Sequence, residues 1–358
     1  MTSQPHSLLR YALKSLSRGM IRRAIAPLVR WEPAPDPAHG VTVIVGCSHR
    51  LESLIPANLA LLARQQAPSL REVLLVIDAE AAEMSAGFHE RVRRAAGGLQ
   101  VRCLHYDERQ LRVSRRIDWG WVYAWLSWCI GIGASRTRYA MLHDFDALLL
   151  DPGVIEERFR LIEDRQAVYL GMGYYEGLGI RPDDGLVKTF ELAFDAAFVR
   201  ENFEPIELFN TMARFRGRRV EFDTFLNAQS RAGRIDMVPI DETRMVHPSQ
   251  MICQFVDHRR RPHRVPGRNN LLLVPYYERV GGDAGPLEAM TGRLRATTDG
   301  SVLAWGRQLD VKALGGEHAQ WLRKQAYRVE TVLRGGPDPE VVAYFDALEA
   351  VATGERGR

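Results

Sequence analysis

The chain has 358 residues, of which 46% are hydrophobic and 26% charged, a composition typical of a soluble globular protein. Such a length suits two lobes or one large α/β domain with additions. The net charge is only +4, but residues 1–31 contain six basic residues and no acid. No apolar run reaches the roughly 18–20 residues of a membrane span, and basic residues interrupt the N-terminal apolar positions, so we expect no signal peptide.

The four cysteines are scattered along the chain, and their spacing fits neither a C-x-x-C motif nor a zinc site. Three of them lie in apolar runs, where cysteine behaves as a small hydrophobe. Free thiols of this kind are typical of a reducing compartment. We therefore expect a cytoplasmic protein.

Residues 7–30 have the periodicity of an amphipathic helix. The apolar positions are Leu9, Leu13, Leu16, Met20, Ala24 and Leu28, and the neighbouring basic stripe is Arg10, Lys14, Arg18 and Arg22. Two interpretations stay open. The helix lies on an anionic membrane surface, which makes the protein peripheral at the inner face of the membrane, or it docks on the protein's own core with a solvated basic side. A proline-rich linker then ends the helix.

Short apolar runs in the first half predict buried strands, and longer periodic runs between them predict helices. The strands are expected at 41–45, 72–77, 99–104 and 139–143, and the helices at 51–66 and 119–134. This alternation predicts an α/β fold with a mostly parallel sheet covered on both faces. Ligands bind beyond the carboxyl ends of such strands. The loop at 46–50, Asp78 and Asp144 all fall at that edge.

Two carboxylates, Asp144 and Asp146, follow the fourth predicted strand. In an extended chain successive side chains alternate between faces, so these two point the same way. They repel each other unless a positive charge lies between them, and a divalent cation that also holds a substrate phosphate is the common solution. Two solvated acids after a strand, or an acid that caps the next turn, are the alternative.

The second half is more mixed. We expect a strand at 234–240, a helix at 221–229, and from about residue 283 a helical appendage with helices at 317–333 and 339–352. A proline in the first turn supports the last of these helices.

The order of these parts resembles the GT-A fold of nucleotide-sugar glycosyltransferases, nearest to the family 2-like inverting members. The resemblance covers roughly residues 41–250 and is carried by the opening strand and its loop, Asp78, the arginines at 115–116, Asp144-Phe145-Asp146 and Asp223. It implies a Rossmann-like, mostly parallel sheet flanked by helices. It also divides the chain into an N-terminal basic helix and linker (1–40), a nucleotide-sugar-binding half (41–150), an acceptor-binding and catalytic half (151–282) and a C-terminal helical extension (283–358).

The resemblance further implies a hexosyltransferase-like enzyme that moves one sugar from a nucleotide-diphosphate sugar to an acceptor hydroxyl with inversion, in glycan, glycolipid or polysaccharide biosynthesis. Asp144 and Asp146 would hold Mn²⁺ or Mg²⁺, and His247 would complete the metal shell. The implied donor contacts are Ser48, Arg50, Asp78, Arg116 and Asp144. For Asp78 the alternative is a helix cap, and for His247 a histidine with a purely structural role.

Asp223 is the candidate general base that takes the proton of the acceptor hydroxyl. Family members usually show an adjacent Glu-Asp pair, whereas this chain has Glu221 and Asp223 separated by a phenylalanine, so Glu221 is the alternative. Tyr174 and Tyr175 lie among glycines that let a ligand approach and are acceptor candidates. The remaining candidates are two arginines that clamp the diphosphate or an anionic acceptor, or belong to a solvated basic loop: Arg259 and Arg264.

Several motifs are absent. The sequence has no G-x-x-x-x-G-K-[ST], G-x-G-x-x-G, H-E-x-x-H or G-x-S-x-G pattern. The Q-x-x-R-W motif and the membrane spans of processive polysaccharide synthases are missing too, so we expect a single addition to a glycan or lipid-linked acceptor. No nucleic-acid partner is expected. The alternatives are a retaining enzyme, a catalytically inactive scaffold of the same fold, or a basic membrane- or nucleic-acid-binding module.

Overall fold

A computed structural model describes residues 8–32, 36–174, 176–239, 241–261 and 268–354. Its α-helices are α1 (Leu8–Ile25), α2 (Leu54–Leu62), α3 (Phe88–Ala96), α4 (Glu108–Ile117), α5 (Gly120–Ala134), α6 (Val154–Asp164), α7 (Ala196–Asn202), α8 (Leu226–Ala232), α9 (Met251–Arg260), α10 (Val274–Val280), α11 (Gly285–Ala296), α12 (Gly316–Arg334) and α13 (Pro339–Thr353). Its strands are β1 (Ala38–Cys47), β2 (Leu70–Ile77), β3 (Val101–His105), β4 (Thr137–Asp144), β5 (Leu148–Leu149), β6 (Tyr169–Met172), β7 (Glu191–Asp195), β8 (Thr211–Phe215), β9 (Arg218–Phe222), β10 (Ile235–Val238), β11 (Met245–Val246), β12 (Ser301–Ala304) and β13 (Arg307–Asp310).

A seven-stranded sheet in the order β10-β6-β7-β4-β1-β2-β3 forms the centre of the protein. The pairs β1–β2, β1–β4, β2–β3 and β6–β10 are parallel, whereas β7 runs antiparallel to both β4 and β6. The expected α/β fold with a mostly parallel sheet flanked by helices is therefore confirmed. The sheet also joins the two predicted halves, because β7 lies directly beside β4.

The apolar strands are buried on both faces because their side chains alternate between two separate cores. In β1, Val43 and Val45 pack into the core that contains α2, α3, α6 and the helices α10–α13. Ile44 between them packs into the second core, with α5, α7 and the end of α1. This is the pattern expected for parallel strands covered on both sides.

The C-terminal appendage is mostly helical, as expected, and also contains the hairpin β12–β13. It packs into the core beneath the sheet rather than hanging from it, since Tyr277, Leu322 and Phe345 are buried in the same cluster as β1. No described helix is long and apolar enough to cross a bilayer.

One local expectation is wrong. Residues 221–229 do not form one helix, because β9 continues to Phe222 in a hairpin with β8, and α8 begins only at Leu226. Of the two interpretations of the N-terminal helix, docking with a solvated basic side holds only in part, since Ile25 is buried in the core. Lys14 and Arg18 point to the protein and bond Glu221, while Leu13 is exposed.

Candidate active site

Three loops that follow parallel strands meet at one edge of the sheet. Gly46 of β1 is in register with Asp144 of β4, and the next residue of β1 is in register with Ile77 of β2. Ser48 and Asp78 therefore follow β1 and β2, and Asp144 ends the adjacent β4, at the edge where α/β sheets bind ligands. All three line a cavity of about 1120 Å³.

Asp144, Asp146 and His247 form a cluster in this cavity, with one ligand atom of each within 4.8 Å of the others. Nε2 of His247 lies 3.3 Å from Oδ2 of Asp144 and 3.6 Å from Oδ1 of Asp146. The histidine reaches the acids because β11 pairs antiparallel with β5, directly after the Asp-x-Asp turn. The structure thus brings together the three residues predicted as metal ligands.

Buried polar side chains hold the turn that carries the two aspartates. Asn58 of α2 donates from Nδ2 to the carbonyl of Ala147 at 2.6 Å and to that of Asp144 at 3.2 Å. Tyr277 of α10 donates its hydroxyl hydrogen to the carbonyl of Asp146 at 3.0 Å. The C-terminal helices therefore help to fix the turn, and the cluster is rigid because its backbone is bonded from two sides.

The charges of the cluster are strongly coupled. Burial raises the pKa of Asp144, and the imidazole of His247 only partly offsets this. Burial disfavours the charged form of His247, but both carboxylates outweigh this and raise its pKa to about 10. His143, buried behind the turn, has its pKa lowered to about 4 by burial and by the nearby His247.

These residues fit a divalent cation. Nε2 of His247 is buried, and no hydrogen bond of normal geometry satisfies it, although a buried polar atom without a partner is costly. Two carboxylate oxygens and one imidazole nitrogen suit Mn²⁺, and the carboxylates suit Mg²⁺. A cation between these atoms would satisfy the nitrogen and neutralise both acids.

The predicted donor residues beside β1 are tied together. Asp78 is buried and accepts a hydrogen bond from the hydroxyl of Ser48 at 3.1 Å and one from the backbone N–H of His49 at 2.7 Å. Arg50 donates to Asp118 at 3.4 Å, and its guanidinium lies 5.8 Å from the ring of Tyr123. Asp78 therefore shapes the loop after β1 and also lines the cavity.

The other predicted arginines lie outside this arrangement. Arg116 is exposed on α4 and Arg259 is exposed at the end of α9, and neither is among the described residues that line the cavity. Arg264 and Tyr175 lie outside the described residues. Tyr174 does line the cavity and is largely buried. The roles assigned to these residues from the sequence stay predictions.

The structure separates Glu221 from Asp223. Glu221 is only 2% exposed and accepts hydrogen bonds from Nζ of Lys14 at 2.7 Å and Nη2 of Arg18 at 2.8 Å. Although burial favours its neutral form, these two cations lower its pKa. Its charge is neutralised within the protein, so it is poorly suited to take a proton from a substrate.

Asp223 lines the cavity and has no cationic partner among the hydrogen bonds described for it. Its Oδ1 accepts from Nδ2 of Asn210 at 3.0 Å and from the backbone N–H of Thr224 at 2.7 Å. Burial raises its pKa, and these two hydrogen bonds only partly oppose the rise. A carboxylate with a raised pKa that faces a cavity is suited to general base catalysis.

Two of the cavity residues missed from the sequence bear on the chemistry. Lys188, just before β7, lines the cavity, and burial lowers its pKa. Its Nζ lies 5.9 Å from the centre of the Phe190 ring, which lies 4.3 Å from that of His247. Trp321 of α12 also lines the cavity and is 37% exposed, with its ring stacked on that of His318 at 5.2 Å. Nothing in the sequence marks Lys188. The signal for Trp321 is its place among polar residues of an amphipathic helix, where burial is not required.

No protein-family model and no curated protein matches this sequence. Among solved structures, the chain is similar to TarS 1–349 of S. aureus at 12% identity and a TM-score of 0.40, covering 89% of this chain and 93% of that one. It is also similar to the mannosyltransferase PcManGT from Pyrobaculum calidifontis, in complex with GDP-Man and Mn²⁺, at 16% identity and a TM-score of 0.40, covering 96% and 97%.

A third similar structure is the glycosyltransferase GlyE of Streptococcus pneumoniae TIGR4, at 9% identity and a TM-score of 0.35, covering 64% of this chain and 50% of that one. TarS has also been solved with UDP and with UDP-GlcNAc. TarS and PcManGT are GT-A-type glycosyltransferases. Because the TM-scores are 0.40 or lower, these similarities carry no argument about this chain, and activity has to follow from the site.

Proposed function

We propose that this chain is a divalent-metal-dependent glycosyltransferase that moves one hexose-like sugar from a nucleotide-diphosphate sugar to an acceptor hydroxyl with inversion. One observation carries the proposal: the cluster of Asp144, Asp146 and His247 shares a cavity with the separate carboxylate Asp223. A metal ion at this cluster would bind the diphosphate of the donor. A carboxylate with a raised pKa would accept the proton of the acceptor hydroxyl.

The donor would bind along the ends of β1, β2 and β4. Mn²⁺ or Mg²⁺ held by Asp144, Asp146 and His247 would supply Lewis-acid stabilisation of the departing diphosphate. Lys188 places a further positive charge in the cavity, beside Phe190, whose ring packs on that of His247. We assign the nucleoside end to Ser48, Arg50 and Asp78, with Arg116 as an additional donor contact.

In the transfer step, the oxygen of the acceptor hydroxyl attacks C1 of the donor sugar as the bond from C1 to the diphosphate oxygen breaks. The electron pair of that bond leaves with the nucleoside diphosphate. Asp223 takes the proton from the attacking oxygen and so becomes neutral. Its raised pKa favours this step, because burial stabilises the neutral form of the carboxyl group relative to the charged form.

The acceptor would occupy the part of the cavity between Asp223 and α12. Tyr174 and Trp321 both line the cavity with aromatic surfaces, and such surfaces suit the apolar faces of sugar rings. We assign the acceptor to the class of glycans or lipid-linked glycans, so the reaction belongs to glycan, glycolipid or polysaccharide biosynthesis. Tyr175, Arg259 and Arg264 remain proposed contacts of the acceptor or of the diphosphate.

A thermal-shift screen of UDP-, GDP-, CMP- and dTDP-sugars, each with and without Mn²⁺, tests the proposal. A ligand that binds the folded state raises the melting temperature. We expect one nucleotide class to raise it only with Mn²⁺, and Asp144→Asn/Asp146→Asn to remove this shift. Asp164→Asn is the matched control, since Asp164 is exposed at the end of α6. Absence of a shift with every donor in the folded protein would contradict the proposal.

The stereochemistry of the product is tested separately. Proton NMR of the first product formed reports the configuration at C1. An inverted anomer supports the direct attack assisted by Asp223. A retained anomer would leave Asp223 without the role of base and would favour a retaining enzyme of the same fold.

A further inference from the structure

The outward face of α1 carries a stripe of large apolar side chains. Leu9, Leu13, Leu16 and Met20 are 71%, 59%, 64% and 58% exposed. At 100° per residue these four positions fall within about 60° of one another on the helix. Among the described residues, they make up most of the large apolar side chains that are exposed, and the others, such as Met237 and Leu303, lie elsewhere in the fold.

The opposite face of α1 binds the protein through charge as well as apolar contact. Lys14 and Arg18 bond Glu221, and Arg22 donates to the carbonyl of Phe209 at 3.0 Å. The guanidinium of Arg18 also lies 3.7 Å from the centre of the Trp119 ring. Further along, Ile25 is fully buried. The apolar stripe is therefore not the face that holds the helix on the protein. In an amphipathic helix on the surface of a globular protein, the apolar face usually packs on the core.

We propose that α1 docks on the surface of an anionic lipid bilayer, with the stripe Leu9–Met20 inserted among the headgroups. Arg10 and Arg23, both exposed, lie on the two sides of the stripe, at about 100° and −40° from Leu9 on the helix. An apolar stripe bordered by arginines is the arrangement that lies in a membrane interface, and each arginine adds attraction to anionic lipid.

Charge complementarity favours lipid over a second copy of the chain. Residues 1–31 contain no aspartate or glutamate. Two copies that paired through this stripe would place arginines opposite arginines, without acids from the same segment to offset them. Anionic headgroups offset the same charges. The exposed apolar surface of α1 is also narrow, because the side chains that flank the stripe at Ala12 and Ser17 are small.

The inferred surface has a consequence for the reaction, which rests on the proposed function. The double ion pair to Glu221 ties α1 to β9, and β9 ends one residue before Asp223. A bilayer bound at the outward face of α1 would thus be separated from β9 only by this helix, and β9 leads directly into the residue proposed as the general base. This arrangement favours acceptors that are presented at a membrane surface, as lipid-linked glycans are.

Vesicle co-sedimentation of the full chain tests the proposal without donor or metal. The probes are vesicles of phosphatidylcholine alone and of phosphatidylcholine with phosphatidylglycerol. We expect binding to the anionic vesicles, weaker by at least about tenfold in Leu9→Gln/Leu13→Gln/Leu16→Gln and reduced in Arg10→Gln/Arg23→Gln. The matched control Met237→Gln/Leu303→Gln also removes exposed apolar side chains, 46% and 51% exposed, and should bind like the wild type.

Equal melting temperatures of wild type and leucine variant would show that the stripe has no role in folding. Loss of binding in the control variant as well would overturn the proposal, because the stripe would then have no special role. No binding of the wild type to anionic vesicles would overturn it too, as would a wild-type dimer in light scattering that the leucine variant dissociates. Because none of these measurements needs catalysis, they stay informative even if no sugar donor binds.

Discussion

Asp144 and Asp146, which both line the cavity, have the same spacing in sequence as Glu221 and Asp223, of which only Asp223 lines it. Their surroundings differ. The first pair faces a histidine that comes from β11, and both acids converge with it on one point. In the second pair, Lys14 and Arg18 neutralise Glu221, while Asp223 is left with only the neutral donors described for it.

The comparison shows that spacing alone does not assign a role to two carboxylates. The role of each carboxylate is decided by the groups that contact it in the folded chain. Two acids that share a single histidine fit a cation, whereas a pair with one member neutralised leaves one free carboxylate for proton transfer. The two pairs thus divide the proposed chemistry between the leaving diphosphate and the attacking hydroxyl.

The largest effect is expected from Asp223→Asn. It should lower kcat of transfer by about 10²–10⁴-fold, the typical contribution of general base catalysis. The asparagine oxygen can still accept from Asn210 and Thr224, so donor binding should be unchanged. Steady-state kinetics and donor titration measure the two quantities, and equal losses in both would contradict the assigned role.

The same substitution has a stability signature. Because the pKa of Asp223 is raised on folding, the folded chain binds this proton more tightly than the unfolded chain. Its contribution to stability is therefore present below the unfolded pKa and is lost as the pH rises through the folded pKa. At neutral pH, Asp223→Asn should be at least as stable as the wild type. Transfer by the wild type should also fall at acidic pH, at a higher pH than an exposed aspartate would give.

Glu221→Gln should act on stability rather than on chemistry. Lys14 and Arg18 would lose their charged partner, so we expect a loss of about 2 kcal/mol in the free energy of unfolding. The pKa of Glu221 is lowered on folding, so this stabilisation is present above its unfolded pKa and disappears as the pH falls through the folded pKa. Denaturant titration at neutral and acidic pH checks this. A kcat as low as that of Asp223→Asn would make Glu221 the base instead.

Lys188→Met tests whether this lysine contributes to donor binding beside the metal cluster. Removal of a half-buried positive charge near the metal cluster should raise the KM of the donor by about tenfold, the size of one charged hydrogen bond. The matched control is Lys324→Met, because Lys324 is exposed on α12. Initial rates at varied donor concentration measure the effect, and an unchanged KM would remove Lys188 from the donor site.

Trp321→Ala should have the smallest effect and should concern the acceptor alone. We expect a threefold to tenfold rise in acceptor KM, about the energy of one aromatic contact. Slow hydrolysis of the donor in the absence of acceptor should not change. Trp321→Phe, which keeps an aromatic face, should restore most of the affinity. A change in donor hydrolysis of equal size would instead indicate a structural role.

Much of the fold could be predicted because its signals are local. Apolar runs gave β1, β2 and β4, and the acids directly after them gave Asp78, Asp144 and Asp146. The antiparallel β7 and the short pair β5–β11 were not predicted, since two- to five-residue strands carry little periodicity.

The different roles of Glu221 and Asp223 depend on the bonds of Glu221 to Lys14 and Arg18, which lie 207 and 203 residues earlier in the sequence. No local pattern indicates that Lys14 and Arg18 of α1 face inward. Trp321 joins the cavity only because the C-terminal helices pack back under the sheet. These features follow from tertiary packing. For that reason the predicted helix at 221–229 is wrong, and the interpretation of α1 with a solvated basic side fails at Lys14 and Arg18.

The most direct test of the account is isothermal titration of Mn²⁺, in the presence of a nucleoside diphosphate, into two variants with matched changes. Asp144→Asn/Asp146→Asn and Glu221→Gln/Asp223→Asn each convert two acids at the same spacing into amides. We expect the first variant to lose Mn²⁺ binding and the second to keep the affinity of the wild type. Equal losses in both variants, or binding retained in the first, would contradict it.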